Sequence, residues 1–280
     1  MCKPAIMWVR TIVCLISNSR STLLSTHFII RKKRKTRPPV PRGRITMPID
    51  VLAFGPHPDD VELFCGGLLL KLKKQGYRTA IADMTRGELG TRGTVEIRAA
   101  EAAEAARILK ADQRLNLDIA DGGVRAEDGQ KSKVVEVLRR LRPRIVLAPY
   151  FQDRHPDHVQ GARLIEEAVF LSGVAKWHPG LEPWRPHAVI HYFMHRVDSP
   201  SFIVDISGEM EEKLRAVKAY KSQFHDPASA EPETYISSPA FLESVKTRAA
   251  YFGFKIGVEY GEPFFVKSPL RIDNIMTLVP

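Results

Sequence analysis

The sequence predicts a single α/β domain in which a mostly parallel β-sheet is covered by helices on both faces. Hydrophobic residues make up 44% of the 280 residues, a share typical of a chain that buries a core. From residue 49 onward, short apolar runs alternate with helical patterns of about 10–15 residues, an order typical of repeated βαβ units. No internal repeat or low-complexity segment interrupts this order, so one domain is favoured over two.

Ordinary start and stop residues bound the predicted elements. Gly76 follows the first helix where a glycine commonly ends one, and Thr94 is a good N-cap for the second. Pro143 ends the third helix, and Pro156 lies in the first turn of the fourth. In chain order we predict the strand Ile49–Gly55, the helix Asp60–Gln75, the strand Tyr77–Thr85, the helix Thr94–Lys110, the strand Arg114–Ile119, the helix Lys131–Leu141, the strand Arg144–Pro149, the helix Pro156–Leu171, the strands His187–His195 and Ser201–Ile206, the helix Glu209–Phe224, the loop Asp226–Pro239 and the helix Ala240–Gly253.

The positive charge of the chain is confined to its first 46 residues. The formal net charge is +10, from 42 basic and 32 acidic residues. Residues 1–46 hold eleven basic and no acidic residues, which leaves 31 basic and 32 acidic residues in 47–280. We therefore expect a basic leader at 1–46, disordered or an upstream mis-start, with Met47 as the natural start of the folded domain 47–280. An organellar transit peptide is the alternative for an Arg- and Ser-rich stretch without acids.

Several classes of protein are disfavoured by the composition. The body of the chain is slightly acidic, and the basic run Arg31–Lys35 lacks the interleaved aromatic residues that stack on bases. A nucleic-acid-binding protein that uses this leader is therefore the remote alternative. No window of about 18 residues is apolar throughout, and three cysteines are too few for a disulfide framework. We expect no nucleic-acid partner and no membrane partner.

Two histidine–carboxylate clusters stand out, and each follows a predicted buried strand and opens a helix. The first is Pro56–Glu62 (PHPDDVE), and the second is His155–His158 (HPDH). In an open α/β sheet, ligands bind outside the carboxyl ends of the strands. If the two strands are neighbours, we expect the clusters to face each other at this edge.

Imidazole and carboxylate ligands together suit zinc, and a catalytic zinc keeps three protein ligands and one open position. His57, Asp60 and His158 would supply the three. Asp59 is then left as a general base, and His155 is left to polarise a carbonyl, stabilise an oxyanion or protonate a leaving amine. These parts fit metal-assisted amide hydrolysis. The alternative is structural, because aspartates at a helix start are also good N-caps.

The two clusters resemble the LmbE-like (PIG-L) N-acetylglucosamine deacetylase family, and the likeness extends over nearly all of residues 48–270. Segments that resemble its bacillithiol-biosynthesis branch are 85–94 (TRGELGTRGT), 220–224 (YKSQF) and 257–264 (GVEYGEPF). The resemblance implies a Rossmann-like fold and a zinc, or another divalent ion such as Fe²⁺, on His57, Asp60 and His158. Pro56 stands where the family usually has alanine, which changes backbone stiffness but removes no ligand.

The same resemblance implies roles for further residues. Asp59 would be the general base, and His155 would act as acid or oxyanion stabiliser with Asp157 orienting it. The substrate of the bacillithiol branch, N-acetylglucosaminyl malate, carries two carboxylates, which arginine forks bind well. The candidate substrate-binding residues are Arg98, Arg154, Glu88, Arg92 and Tyr235.

Three expectations about context complete the prediction. An inositol-linked conjugate or a chitooligosaccharide is the alternative substrate for such a deacetylase. The resemblance implies a homo-oligomer, often a hexamer in this family. A role in bacillithiol synthesis implies a cytoplasmic protein, which suits a body with the single cysteine Cys65.

Overall fold

The structure is a computed structural model that describes residues 48–177 and 180–278. The predicted leader 1–46 and the predicted start at Met47 lie outside the described residues. Within the described residues, seven strands form one sheet: β1 (Val51–Gly55), β2 (Thr79–Asp83), β3 (Gln113–Asn116), β4 (Ile145–Pro149), β5 (Ala188–Tyr192), β6 (Phe202–Asp205) and β7 (Gly261–Phe265). The helices are α1 (Asp60–Lys74), α2 (Val95–Ile108), α3 (Asp128–Leu141), α4 (Pro156–Ser172), α5 (Met210–Lys218) and α6 (Pro239–Phe254), with a 3₁₀ turn at Ile275–Leu278.

Helices cover both faces of the sheet, as predicted, and β1 shows how. Successive side chains of a strand point to opposite faces. Val51 and Ala53 join the core formed with α1, α2, α5 and α6, whereas Leu52 and Phe54 join the core formed with α3 and α4. Among the described residues, no helix is long and apolar enough to cross a membrane.

The strand order β3-β2-β1-β4-β5-β7-β6 makes β1 and β4 neighbours. Their parallel pairing aligns Leu52 with Val146 and Ala53 with Leu147. The chain leaves β1 towards β2 on one side, while β4 and β5 lie on the other. The carboxyl ends of β1 and β4 therefore flank the switch point at which ligands bind in such sheets. This pairing brings the two histidine–carboxylate clusters to the same edge, as the sequence predicts.

Strands β1 to β5 pair with one another in parallel, and β7 is the antiparallel strand of the sheet. β7 lies between β5 and β6 and runs antiparallel to both. The sequence prediction contains no strand at Gly261–Phe265, because a glycine and Pro263 weaken the strand pattern. Pro263 is accommodated in the ladder opposite Ile203.

The predicted helix Glu209–Phe224 is shorter in the structure, where α5 ends at Lys218. Residues 219–224 form turns instead. Both the backbone N–H and the hydroxyl of Ser222 donate to the Glu101 carboxylate at 2.7 Å, which draws the chain towards α2. A tertiary contact therefore overrides the local helical pattern at this point.

Candidate metal centre and active site

The first cluster lies on the short connection between β1 and α1. Asp59 adopts φ 127°, a conformation that is rare for a residue with a side chain and that occurs at functional sites. Its side chain makes no capping hydrogen bond to α1. Asp60 accepts a hydrogen bond from the backbone N–H of His57 at 2.9 Å. Ordinary helix capping therefore does not account for Asp59.

His57 and His158 both present one ring nitrogen to the same oxygen of Asp60. Nδ1 of His57 lies 3.3 Å from Oδ2 of Asp60, and Nε2 of His158 lies 3.6 Å from it. The other nitrogen of each ring is held by a carboxylate: Nε2 of His57 is 3.2 Å from Asp121, and Nδ1 of His158 is 2.9 Å from Asp153. A histidine that donates one N–H to a carboxylate turns the lone pair of its other nitrogen outward, as metal-binding histidines do.

The electrostatics of this cluster favour a bound cation. Burial lowers the pKa of His57, but hydrogen bonds to Asp121, Asp157 and Asp60 raise it well above its usual value. Burial raises the pKa of Asp60, but the charge of His158 and the contacts with His57 bring it down to about 2. A site that holds positive charge this strongly suits a divalent metal ion, and histidine with aspartate suits zinc or iron.

Three groupings of the described residues have metal-ligand spacing, and none of them includes Asp60: His57 with His155 and His158, Asp153 with His158 and His195, and His57 with Asp121 and Asp157. His57, His155 and His158 each offer an atom within 4.8 Å of the others. The sequence prediction assigns His57, Asp60 and His158 as the ligands instead, and the convergence of both rings on Asp60 fits that assignment. His155 lies beside the three, where it can contact a substrate.

Asp59 lies buried against Arg98. Burial raises the pKa of Asp59 to about 7, although the charge of Arg98 opposes this rise. The guanidinium of Arg98 donates to Oδ2 of Asp59 at 2.8 Å and to the carbonyl of Pro58 at 2.7 Å. Arg98 borders the cleft, and its Nε and Nη2 groups donate to the chain itself. This residue, predicted to bind substrate, is thus an ion-pair partner of Asp59 as well as part of the cleft lining.

His155 is oriented by the main chain. The backbone N–H of Asp157 donates to Nδ1 of His155 at 3.2 Å, which leaves the proton of the neutral ring on Nε2. Burial and the neighbouring His57 and His158 lower the pKa of His155, so the neutral form is favoured. The carboxylate of Asp157 contacts His57 at 3.5 Å and not the ring of His155. The resemblance implied that Asp157 orients His155. In the structure, it is the backbone amide of Asp157, and not its carboxylate, that contacts the ring of His155.

The cleft at this site has a volume of about 420 Å³ and is bordered by Arg154 as well as by both clusters. Arg154 is exposed, and its guanidinium lies 4.8 Å from the ring centre of Tyr235. It forms no ion pair with another described residue. Tyr235 is 66% exposed and lies at the edge of the site through this contact. Arg154 thus borders the cleft, whereas Tyr235 is linked to the cleft only through its contact with Arg154.

The other two predicted substrate-binding residues support loops. Glu88 accepts hydrogen bonds from the backbone N–H groups of Arg86 and Asp121, and does not border the cleft. Arg92 is buried, donates to the hydroxyl of Ser229 at 2.8 Å and lies 3.6 Å from Glu231. Neither residue is among those that border the cleft.

Sequence reasoning missed Asp121 and Asp153, the carboxylates that hold the two histidines. Asp153 precedes His155 by two residues, and its two oxygens also accept the backbone N–H groups of His155 and His195. Its position just outside the second cluster was a signal. Asp121 lies beyond β3, two residues after the predicted strand end at Ile119, so sequence spacing did not link it to His57.

Comparison with known proteins assigns the family. The PIG-L family, described as GlcNAc-PI de-N-acetylase, matches residues 52–169, which include both clusters. The diacetylchitobiose deacetylase of Thermococcus kodakarensis is 33% identical over 227 residues, which cover 76% of this chain and 80% of that protein. The chain belongs to the PIG-L family of deacetylases. The recognised likeness to LmbE-like proteins is thereby confirmed at the level of the family.

Two further similar proteins extend the comparison. A crystal structure of a conserved protein from Thermus thermophilus superimposes with a TM-score of 0.74 at 42% identity, covering 81% of this chain and 98% of that one. The 2'-N-acetylparomamine deacetylase of Streptomyces fradiae is 26% identical over 223 residues, which cover 69% of this chain and 78% of the relative. The α/β fold predicted from the sequence is confirmed by the structural match.

Proposed function

We propose that this PIG-L protein hydrolyses the acetamide of an N-acetylglucosamine conjugate in a metal-dependent reaction, with N-acetylglucosaminyl malate of bacillithiol synthesis as the substrate. The observation that carries the proposal is the convergence of His57 and His158 on Oδ2 of Asp60, with the far nitrogen of each ring held by a carboxylate. The relatives support the reaction class, because two of them are named as deacetylases of diacetylchitobiose and of 2'-N-acetylparomamine.

His57, Asp60 and His158 would hold the metal, with zinc as the first candidate and Fe²⁺ as the second. When bound, such an ion polarises a carbonyl and lowers the pKa of a water molecule. Asp59 takes the proton of the attacking water, whose oxygen forms the new bond to the acetyl carbon. Nε2–H of His155 donates to the oxygen of the acetyl group as charge develops there. The C–N bond then breaks, and the amine leaves with the proton that Asp59 accepted.

Arg154 supports a substrate with an acidic aglycone. It is exposed at the rim of the cleft, and no carboxylate within the described residues forms an ion pair with it. A guanidinium of this kind binds a carboxylate through two parallel hydrogen bonds. Malate offers such a group, whereas chitooligosaccharides and inositol conjugates do not. Arg98 gives weaker support, since two of its nitrogens already donate to Asp59 and to the carbonyl of Pro58.

A substrate panel tests this proposal. Acetate release by the metal-loaded protein is measured with N-acetylglucosaminyl malate, N-acetylglucosaminyl inositol and N,N'-diacetylchitobiose. We expect the highest kcat/KM for the malate conjugate, and Arg154→Met to raise its KM by about tenfold, the typical effect of losing one charged hydrogen bond. Arg163→Met is the control, because Arg163 is exposed and pairs with Glu167 on α4. A higher kcat/KM on diacetylchitobiose would replace the malate proposal by the chitooligosaccharide alternative.

A further inference from the structure

A second cavity adjoins the cleft and is not used by the chemistry described above. It has a volume of about 250 Å³ and lies between α1, α6 and β7. Leu63 and His195 border both this cavity and the cleft. Its volume is below the range of about 300–1,000 Å³ that whole drug-sized ligands occupy, so it suits one substituent of a larger ligand.

Arg248 of α6 borders this cavity and is held in a fixed position. Its guanidinium donates to the backbone carbonyls of Phe193 and Met194, which follow β5. It also lies over two aromatic rings, 5.2 Å from the centre of Phe64 and 5.9 Å from the centre of Phe252. A guanidinium has five N–H groups in a planar fork, so donors remain after these two carbonyl contacts.

The carboxylates of Glu262 and Asp153 act on the charge of Arg248 without forming an ion pair with it. Within the described residues, Arg248 forms no ion pair with either of these carboxylates or with any other. The other charged side chains of the cavity, Lys213 and Glu262, pair with each other at 2.7 Å. Glu262 also accepts the backbone N–H groups of Gly67 and Leu68, so its oxygens are occupied. Arg248 is therefore the charged side chain of this cavity that has no ion-pair partner within the described residues.

A line of contacts connects this charge to the proposed metal centre. The ring of His195 stacks on His158 at 5.8 Å, and its other neighbour is Phe64 at 5.6 Å. Phe64 in turn lies under the guanidinium of Arg248. Because Leu63 and His195 border both spaces, a ligand with its acetamide beside His158 could reach Arg248 only past these two residues.

We propose that the cavity is an anion subsite in which Arg248 binds a carboxylate of the substrate's aglycone and so selects acidic over neutral conjugates. The inference rests on the proposed function for the identity of the substrate, and adds a residue that lies outside both sequence clusters. Burial lowers the pKa of Arg248 to about 10, which leaves it charged at neutral pH. Its weak hydration and aromatic contacts make it a stronger partner for a carboxylate than an exposed arginine.

The test compares Arg248→Met and Arg248→Lys with the native holoenzyme. We expect Arg248→Met to lower the kcat/KM ratio of the malate conjugate over diacetylchitobiose by about tenfold, mainly through the KM of the acidic substrate. Arg248→Lys, which keeps the charge without the fork, is expected to restore part of the ratio. Arg215→Met is the control, because Arg215 is an exposed arginine of α5 whose nearest carboxylate is 3.9 Å away.

A binding measurement separates this inference from the proposed function. Calorimetry with L-malate alone, in place of a substrate, is expected to show binding to the holoenzyme that weakens about tenfold in Arg248→Met. That result supports the anion subsite even if no conjugate in the panel is deacetylated. Equal losses on acidic and neutral substrates, with malate affinity unchanged, would show that Arg248 only supports the chain after β5, and would overturn the subsite.

Discussion

Arg98 and Asp59 form a buried ion pair in which the guanidinium donates to Oδ2 of the carboxylate at 2.8 Å. Both side chains are less than a tenth exposed. Arg98 also holds the carbonyl of Pro58, and lies 6.0 Å from the ring centre of Tyr220. The carboxylate that we propose as the base is thus fixed from behind, in a backbone conformation with φ 127°.

The first prediction concerns Arg98 as a positioning residue. We expect Arg98→Met to lower kcat by about 10- to 100-fold, the cost of losing a buried charged hydrogen bond, while KM changes little. Arg98→Lys is expected to recover part of kcat, because one donor can still reach Asp59. Steady-state kinetics on the best substrate of the panel measures both constants. A rise in KM with kcat preserved would mean that Arg98 binds substrate after all.

The second prediction separates Asp59 from the residues that would hold the metal. We expect Asp59→Asn to keep its metal content and to lose about 10²- to 10⁴-fold in kcat, the range for loss of a general base. His158→Ala is the matched variant and is expected to lose the metal as well as activity. Metal analysis of both purified variants shows which of the two side chains is needed to hold the metal. If Asp59→Asn keeps the native fold but loses the metal, Asp59 is itself a metal ligand.

The third prediction concerns Asp153, which holds Nδ1 of His158 at 2.9 Å. Removal of such a supporting carboxylate typically weakens metal affinity by about 10- to 100-fold. We expect this loss for Asp153→Asn in a competition titration with a chelator. Asp198→Asn is the control, because Asp198 accepts the hydroxyl of Tyr150 and makes no contact with the cluster. Unchanged affinity in Asp153→Asn would count against His158 as a ligand.

The fourth prediction concerns stability at the Lys213–Glu262 pair, whose side chains are 4% and 2% exposed. Lys213→Met leaves a buried carboxylate without its cation, and we expect the free energy of unfolding to fall by about 3 kcal/mol. The value lies at the low end for such pairs, since Glu262 keeps two backbone N–H donors. Lys218→Met is the control, because Lys218 is the exposed last residue of the same helix, α5. Denaturant unfolding followed by circular dichroism measures the difference.

The alternating pattern of the sequence was sufficient to predict β1 to β6 and the neighbouring positions of the two clusters. Buried parallel strands are visible in the sequence as apolar runs, and each cluster begins in the connection that follows one of them. β7 could not be predicted in the same way, because Pro263 and Gly261 obscure its pattern. Its place between β5 and β6 depends on antiparallel pairings with strands far away in the chain.

Candidate site residues could be proposed from the sequence where they share a short segment. His57, Asp60 and His158 belong to the two clusters, so their chemistry is visible in sequence. Asp121 is separated from His57 by 64 residues, and only the fold brings them together. The pairing of Arg98 with Asp59 was not foreseen for the same reason, since an arginine 39 residues away can serve the substrate or the protein.

The central claim is that a metal held beside Asp59 is required for deacetylation. The most direct test is acetate release from N-acetylglucosaminyl malate by one protein sample before chelation, after metal removal and after addition of Zn²⁺ or Fe²⁺. We expect acetate release to stop when the metal is removed, and to return when an ion is added in proportion to the sites filled. Acetate release at an undiminished rate by metal-free protein would contradict the account.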